Sequence, residues 1–273
     1  MALTDIQKKI LKLLARNRSE NSYVAGGVAL NRDWARRSDD IDIFHSSDED
    51  VTNAAKKDIQ TLENAGFAVS TDVFTYGCVD ATVSDRSQAT IIEWMGETKV
   101  RFFPLVRDEE WGVRLHQTDL AVNKVLATSS RSKARDVADL VAISQNYCPL
   151  GPLVLAAAGK PPNFSPRRII DEMRRHVGSI PSEEYLAIKG LPSNWSPEFI
   201  RDEALRQIDL ADRYIMEAPL DVLGKLTVNA ENIPIEVTSD SLKEATVRKA
   251  TEEPDVVPNP SDFDPDRWSI TGP

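Results

Sequence analysis

Apolar residues recur along this chain at two spacings, and the spacing changes with position. Over 1–18, Leu and Ile alternate with charged residues, which predicts an amphipathic helix. Thr4 caps it, with Gln7 three residues on as its capping-box partner. A short apolar run at 23–27 ends on Gly26-Gly27, a strand leading into a turn. A second strand is expected at 41–44. Ser47 then opens a helix that runs through Leu62 and stops at Gly66, a residue type favoured just past a helix end. The stretches 67–74, 89–94 and 99–106 are rich in β-branched and aromatic residues, with Gly77 and Gly96 as turn residues between them. They predict strands of one mixed or largely antiparallel sheet. Helices follow at 118–128 and from just after Ser132 to about 145.

From Pro149 the texture changes. Gly151, Gly159, Pro161, Pro162 and Pro166 punctuate a boundary. Helical patterns resume at 166–176, 182–188 and 196–217. Two of them open on Ser-Pro pairs, Ser165-Pro166 and Ser196-Pro197, which place an N-cap before an N1 proline. Phe199, Ile200, Ala204, Ile208, Ala211 and Ile215 form an apolar stripe at helical spacing, a core-facing surface. Stretches 222–228 and 233–237 flank a polar turn and predict a late hairpin. The expected fold class is α+β: a mixed sheet flanked by helices over 1–147, a mainly helical unit over 148–250, and an acidic, Pro-rich tail over 251–273 that is extended, disordered or docked as a linear segment.

Composition narrows the classes. The chain has 273 residues, enough for one large domain or two smaller ones. No run of about 18 apolar residues is present, so no membrane span is expected. The first helix lacks the apolar core and cleavage site of a signal peptide. The two cysteines, Cys78 and Cys148, have no metal-ligand spacing, so no zinc site or disulfide framework is expected and a reducing cytoplasm is the default. A net charge of -10 disfavours broad binding to duplex DNA. Basic residues nonetheless cluster locally, at Arg32, Arg36 and Arg37 and again at Lys124, Arg131, Lys133 and Arg135. That pattern fits a phosphate-handling cleft better than an extended nucleic-acid surface.

The chemistry concentrates in two places. Asp40 and Asp42 lie at i and i+2 of the predicted strand and project from one face, while Ile41 and Ile43 pack behind them. Paired carboxylates repel unless a cation neutralises them, and a hard ion such as Mg²⁺ accepts that arrangement with room left for phosphate oxygens. Gly26 and Gly27 let backbone amides approach a phosphate. Asp39 should face the opposite way, as a surface acid. Further on, Lys124 and Arg131 are two helical turns apart, and Asp136 and Asp139 share a face of the next helix. A helix-turn-helix pair would bring Lys124 to Asp136; taken alone, this is also what an ordinary surface ion-pair network looks like. His45 reads as a strand-end surface residue, and His116 has no evident partner. Trp34, Trp94 and Trp111 could each stack a base, with core or rim packing the more common use.

Four ordered motifs carry a family resemblance: Gly26-Gly27-Val-Ala-Leu30, Arg37-Ser38-x-Asp40-Ile-Asp42-Ile-Phe44, Lys124-x3-Thr128-x2-Arg131, and Arg135-Asp136-x2-Asp139-Leu140. Over about 20–145 the chain resembles the AbiEii-type nucleotidyltransferases. These are toxin components of abortive-infection and type IV toxin–antitoxin systems, within the DNA polymerase β-like superfamily. The resemblance implies a nucleotidyltransferase fold over 1–147 and transfer of a nucleotidyl group from an NTP to an acceptor. The acceptor implied is tRNA or another RNA, or a protein, and a cognate antitoxin is implied as partner. It further implies that Asp40 and Asp42 hold Mg²⁺, and that Gly26, Gly27 and Ser38 cradle the triphosphate. Lys124 would contact phosphate, Arg131 would support it, and Asp136 would complete the catalytic set by orienting Lys124 or the acceptor hydroxyl. Many superfamily members carry a third metal-binding carboxylate. Glu93, Asp80 and Asp108 are the candidates here, and sequence does not choose among them. Two other readings stay open: a transferase acting on a small molecule such as an antibiotic, and a degenerate nucleotide-binding interaction protein without turnover.

Overall fold

The computed structural model describes residues 3–34 and 36–252. Helix α1 (Asp5–Leu14) opens with the expected reciprocal capping box between Thr4 and Gln7 and buries Ile6, Ile10, Leu11 and Leu14. Strand β1 (Ser22–Ala25) turns directly into the short helix α2 (Gly26–Leu30). Strand β2 (Asp40–His45) leads to helix α3 (Asp48–Asn64), which ends two residues before the positive-φ Gly66. Strands β3 (Ala68–Thr75), β4 (Cys78–Ser84) and β5 (Ala89–Gly96) follow as a meander, and β6 (Val106–Asp108) and β7 (Gly112–Arg114) complete the sheet. The order is β3-β4-β5-β2-β1-β7-β6. The β2–β5 and β1–β7 pairs are parallel and the rest antiparallel, so the sheet is mixed, as expected.

Helices α4 (Gln117–Ser130) and α5 (Ala134–Asn146) are followed by α6 (Leu150–Ala157), α7 (Pro166–Ser179), α8 (Ser182–Leu186) and α9 (Pro197–Glu217). Ser165 and Ser196 cap α7 and α9 through their hydroxyls, each with Pro in the first turn. A two-stranded sheet pairs β8 (Lys225–Val228) with β9 (Thr246–Lys249). One apolar cluster runs from α1 and the large sheet through α4, α5, α6, α7 and α9 to β8. No described helix is long and apolar enough to cross a membrane.

Several local expectations are corrected. The stretch 99–106 is not a strand: beyond one isolated bridge between Arg101 and Thr251, its only sheet residue is Val106. The bulky residues there, Phe102 and Phe103, are buried in the core, and their backbone amides donate to the carboxylate of Asp119 rather than to a ladder. Strand β4 was not foreseen, although Val79, Ala81 and Val83 alternate cleanly inward. Helix α6 occupies the punctuated stretch after Pro149. It is buried on every side, so it carries no amphipathic period to detect. The late hairpin is replaced by pairing of β8 with β9. Residues 233–235 do return beside β8, with Ile235 donating to Thr227, but Pro234 has no N–H and the contact stays a single bridge. Of the expected tail, Thr251 and Glu252 are described, and 253–273 lie outside the described residues.

His45 is a correction with a clear cause. It is fully buried, not a surface residue. Period-2 alternation puts it on the same face as Ile41 and Ile43. Burial and the nearby Arg18 charge push its pKa down to about 4, so it is a neutral core imidazole. Trp94 and Trp111 are core residues as well. The indole N–H of Trp94 donates to Asp58, which pairs with the buried Arg18. Trp111 lies under the guanidinium of Arg32.

Candidate active site

The opposite face of β2 is chemical. Asp40, Asp42 and Phe44 point away from the buried Ile41 and Ile43. Antiparallel register sets Ala25 of β1 against Asp42, which brings the start of α2 alongside that carboxylate. Parallel register sets Glu93 of β5 against Asp42 from the other side. Ile92 and Trp94 are buried, so Glu93 projects from the acid-bearing face. Carboxylate oxygens of Asp40, Asp42 and Glu93 lie within 4.8 Å of one another.

Glu93 is the third acid that sequence left undecided among three. The other two candidates are placed elsewhere: Asp108 pairs with Arg32 and Arg114, and Asp80, beside Glu93 on β4, is not part of the cluster. Strand parity around Ile92 and Trp94 was the available signal for Glu93; the parallel β2–β5 register was not readable.

Mutual repulsion is visible in the proton affinities. Asp42 is pushed up to about 7 by burial and by the charges of Asp40 and Glu93. Glu93 is raised by burial and by Asp40. Asp40 is also buried, yet it sits below the usual carboxylate range because Arg135 and the Ser38 hydroxyl favour its charge. Arg135 Nη1 is 2.7 Å from Asp40 Oδ2, and Ser38 Oγ donates to Asp40 Oδ1 at 2.6 Å. Three clustered carboxylates, one with its pKa raised toward neutrality by burial and by its neighbours, fit a hard divalent cation that would supply the missing positive charge.

The glycines are sterically required. Gly26 has φ +63°, and a Cβ there would lie 1.7 Å from Asp42 Oδ2. A Cβ on Gly27 would lie 2.7 Å from Arg36 Nη2 and 2.8 Å from Ser38 Oγ. The Gly27 amide donates to Asp42 Oδ2 at 3.2 Å. The turn therefore closes directly onto the acids.

Helices α4 and α5 supply the cations. Lys124 Nζ lies 2.7 Å from Asp136 Oδ1 and 3.0 Å from Asp139 Oδ2. Arg131 Nε donates to Asp136 Oδ2 at 2.8 Å, and Arg36 grips Asp139 through Nε at 2.5 Å and Nη2 at 2.9 Å. Both carboxylates are fully buried. Burial opposes their charge, but the cations outweigh it and hold both below the usual range. Both oxygens of Asp136 are thus engaged, by Lys124 and by Arg131. Asp139, Arg36 and Asn31 form the rest of this buried network. Their part was not anticipated, although Asp139 had been placed on the face of Asp136.

One cavity of about 480 Å³ gathers Gly26, Gly27, Ser38, Asp40, Asp42, Lys124 and Arg131, together with Glu93, Arg36 and Arg135. No Trp lines it. Asp39 is exposed and pairs with Lys189 at 2.8 Å. His116 instead caps α4, accepting from the Thr118 amide at 3.2 Å, and stacks on Phe103 at 4.0 Å.

No protein-family profile matches the chain, and no curated protein does. Among solved structures it is similar to MenT4, a nucleotidyltransferase toxin from Mycobacterium tuberculosis H37Rv, with a TM-score of 0.53 and 13% identity over 80% of this chain and 84% of that one. The chain has a nucleotidyltransferase fold. Weaker likenesses reach a protein from H. pylori described as a candidate nucleotidyltransferase (TM-score 0.48, 14% identity, 78% of this chain, 98% of that one) and a tRNA-processing enzyme in an apo form (TM-score 0.30, 13% identity, 79% and 64%).

Proposed function

We propose that this protein is a Mg²⁺-dependent nucleotidyltransferase of the toxin type, AbiEii-like, acting in the cytoplasm on RNA, with tRNA the first acceptor to test. One observation carries the reading: three convergent carboxylates, a glycine turn closed onto them and a set of held cations line a single cavity. Asp40, Asp42 and Glu93 would hold the metal, which when bound neutralises charge on the phosphoryl oxygens and orients them. Gly26, Gly27 and Ser38 cradle the triphosphate. Lys124 and Arg131, fixed by Asp136, present positive charge that is already oriented before substrate arrives. The acceptor hydroxyl attacks the α-phosphorus, the bond to the β-phosphate oxygen breaks, pyrophosphate leaves, and the hydroxyl proton passes to a carboxylate of the triad.

The toxin assignment draws support from the four ordered motifs and from the likeness in fold to MenT4. It brings with it an antitoxin partner that restrains the activity.

The test incubates wild type and Asp42→Ala with each α-³²P-labelled NTP, Mg²⁺ and total bacterial RNA, resolved on a denaturing gel. A labelled band of tRNA size with wild type only is the expected result. Label on a small molecule instead would replace the acceptor. No label on any acceptor, with nucleotide still bound, would identify a binding protein without turnover.

A further inference from the structure

The cavity has a second half that the phosphate chemistry does not use. Two residues beyond the acids, roughly 7 Å along each strand, β2 carries Phe44 and β5 carries Met95, paired side by side in register. Both line the cavity, as do Pro161, Pro162 and Phe164 of the loop between α6 and α7. These walls are apolar, whereas the acid end is densely charged. A flat, polarizable ring suits such a surface.

Polar recognition enters through Glu97, just past the end of β5, and through one amide on α4. Asn123, one residue before Lys124 on α4, also lines the cavity. Its Oδ1 accepts from Lys160 Nζ at 2.7 Å. Lys160 is itself buried, with its ammonium 3.9 Å from the buried carboxylate of Asp119. Asp119 in turn accepts the amides of Phe102 and Phe103 at 2.9 and 3.0 Å. An ammonium can only donate, so Lys160 fixes which way the amide faces. The carbonyl side is committed to Lys160. No group among the described residues accepts from Nδ2. Asn123 therefore offers the cavity hydrogen-bond donors and no acceptor. A buried lysine whose hydrogen bond serves to hold an amide is costly for stability alone, since its charge must be desolvated.

Resting on the nucleotidyltransferase reading, we infer that this half of the cavity is a nucleobase subsite, and that Asn123, oriented by Lys160, is its specificity-determining residue. It selects a base that turns a carbonyl or ring-nitrogen acceptor toward α4. The base belongs either to the incoming NTP or to the 3′ end of the acceptor, and binding separates the two.

The experiment measures Kd by calorimetry for the full chain with Mg²⁺, using inorganic triphosphate, the four NTPs, and RNA trinucleotides ending in each base. Asn123→Asp keeps the shape but exchanges donors for acceptors. Lys160→Met keeps the packing but releases the amide. The expected result is a loss of about ten-fold for the preferred base in Asn123→Asp, the scale of one hydrogen bond, and a flattened ranking in Lys160→Met. Triphosphate affinity stays within two-fold of wild type. A changed NTP ranking places the incoming base here; a changed trinucleotide ranking with NTPs unaltered places the acceptor base here. Unchanged rankings of both kinds in a folded Asn123→Asp would overturn the inference. Absence of triphosphate and NTP binding by wild type would instead remove the nucleotidyltransferase reading on which it rests. If Lys160→Met does not fold, Asn123→Asp decides alone.

Discussion

Asp139→Asn is the sharpest probe of how the cation network is built. Asp139 is 0% exposed and Arg36, its bidentate partner, 5%. The same carboxylate accepts from Asn31 Nδ2 at 2.9 Å and lies 3.0 Å from Lys124 Nζ. Asparagine keeps the volume and one acceptor oxygen but removes the charge that two buried cations face. Removing one partner of a buried ion pair costs roughly 3–5 kcal/mol, because the other charge is left uncompensated. The retained oxygen and the second contact of Lys124 to Asp136 argue for the lower end. For a chain of this size, a loss of about 3 kcal/mol lowers Tm by roughly 6–12 °C. Circular dichroism melts at pH 7 read this directly, and urea titrations check that the unfolding slope is unchanged. The paired substitution Arg36→Met with Asp139→Leu should recover most of that stability, since well-packed apolar replacements of buried pairs are often neutral. A single variant melting within about 1 °C of wild type would refute the claim that Asp139 carries buried charge for Arg36 and Lys124.

Three further outcomes are expected. Gly26→Ala should abolish labelling and lower stability, because its Cβ would meet Asp42 at 1.7 Å and φ is +63°; a variant with wild-type turnover would contradict the closed turn. Glu93→Gln should weaken Mn²⁺ binding, followed by electron paramagnetic resonance, at least ten-fold while leaving the fold intact, whereas Asp80→Asn should leave it near wild type. The pH dependence of stability should carry the signature of His45. Its folded pKa, about 4, lies below the ordinary 6.5, so its contribution is complete above 6.5, is lost as pH falls, and levels off below about 4. At pH 5 this amounts to about 2 kcal/mol by linkage. His45→Phe should flatten that limb of the urea-derived stability profile, and an unchanged limb would show that His45 titrates normally.

The acid pair, the glycine turn and the α4–α5 ion pairs were legible because each is a short-range pattern with one dominant period. Asp40 and Asp42 alternate with Ile41 and Ile43, so the strand and its chemical face are fixed together. Lys124 and Asp136 sit on helices joined by a short turn, so sequence spacing nearly determines their contact. What escaped was set by partners distant in the chain. Glu93 acquires its role from the parallel pairing of β5 with β2, a register that strand sequences do not encode alone. Helix α6 is apolar all round, which erases the period that would have revealed it. His45 is different: the parity that exposes Asp40 and Asp42 also assigns it to the core, against the surface position that its polarity suggests.

That contrast bears on how the site works. Its clustered acids come from a sheet whose register is long-range, and Lys124, Arg131 and Arg135 come from a local helical hairpin. The two halves meet through Arg135, which starts on α5 and ends on Asp40, and through Arg36, which leaves the segment before β2 to hold Asp139. Each side thus sends one arginine to a carboxylate of the other. These two ion pairs join the acids to the cations, alongside the Asn31–Asp139 hydrogen bond and the shared apolar core. A divalent ion arriving at Asp40 would compete with Arg135 for the same carboxylate, and a guanidinium released there stands beside Arg131 and Lys124, where the phosphates would need it. The same side chain would neutralise the acids before loading and face the triphosphate afterwards. Arg135→Lys, which keeps the charge but loses the planar fork, should therefore weaken inorganic triphosphate binding more than Mn²⁺ binding. If Mn²⁺ binding fell and triphosphate binding did not, Arg135 would be serving the acids alone.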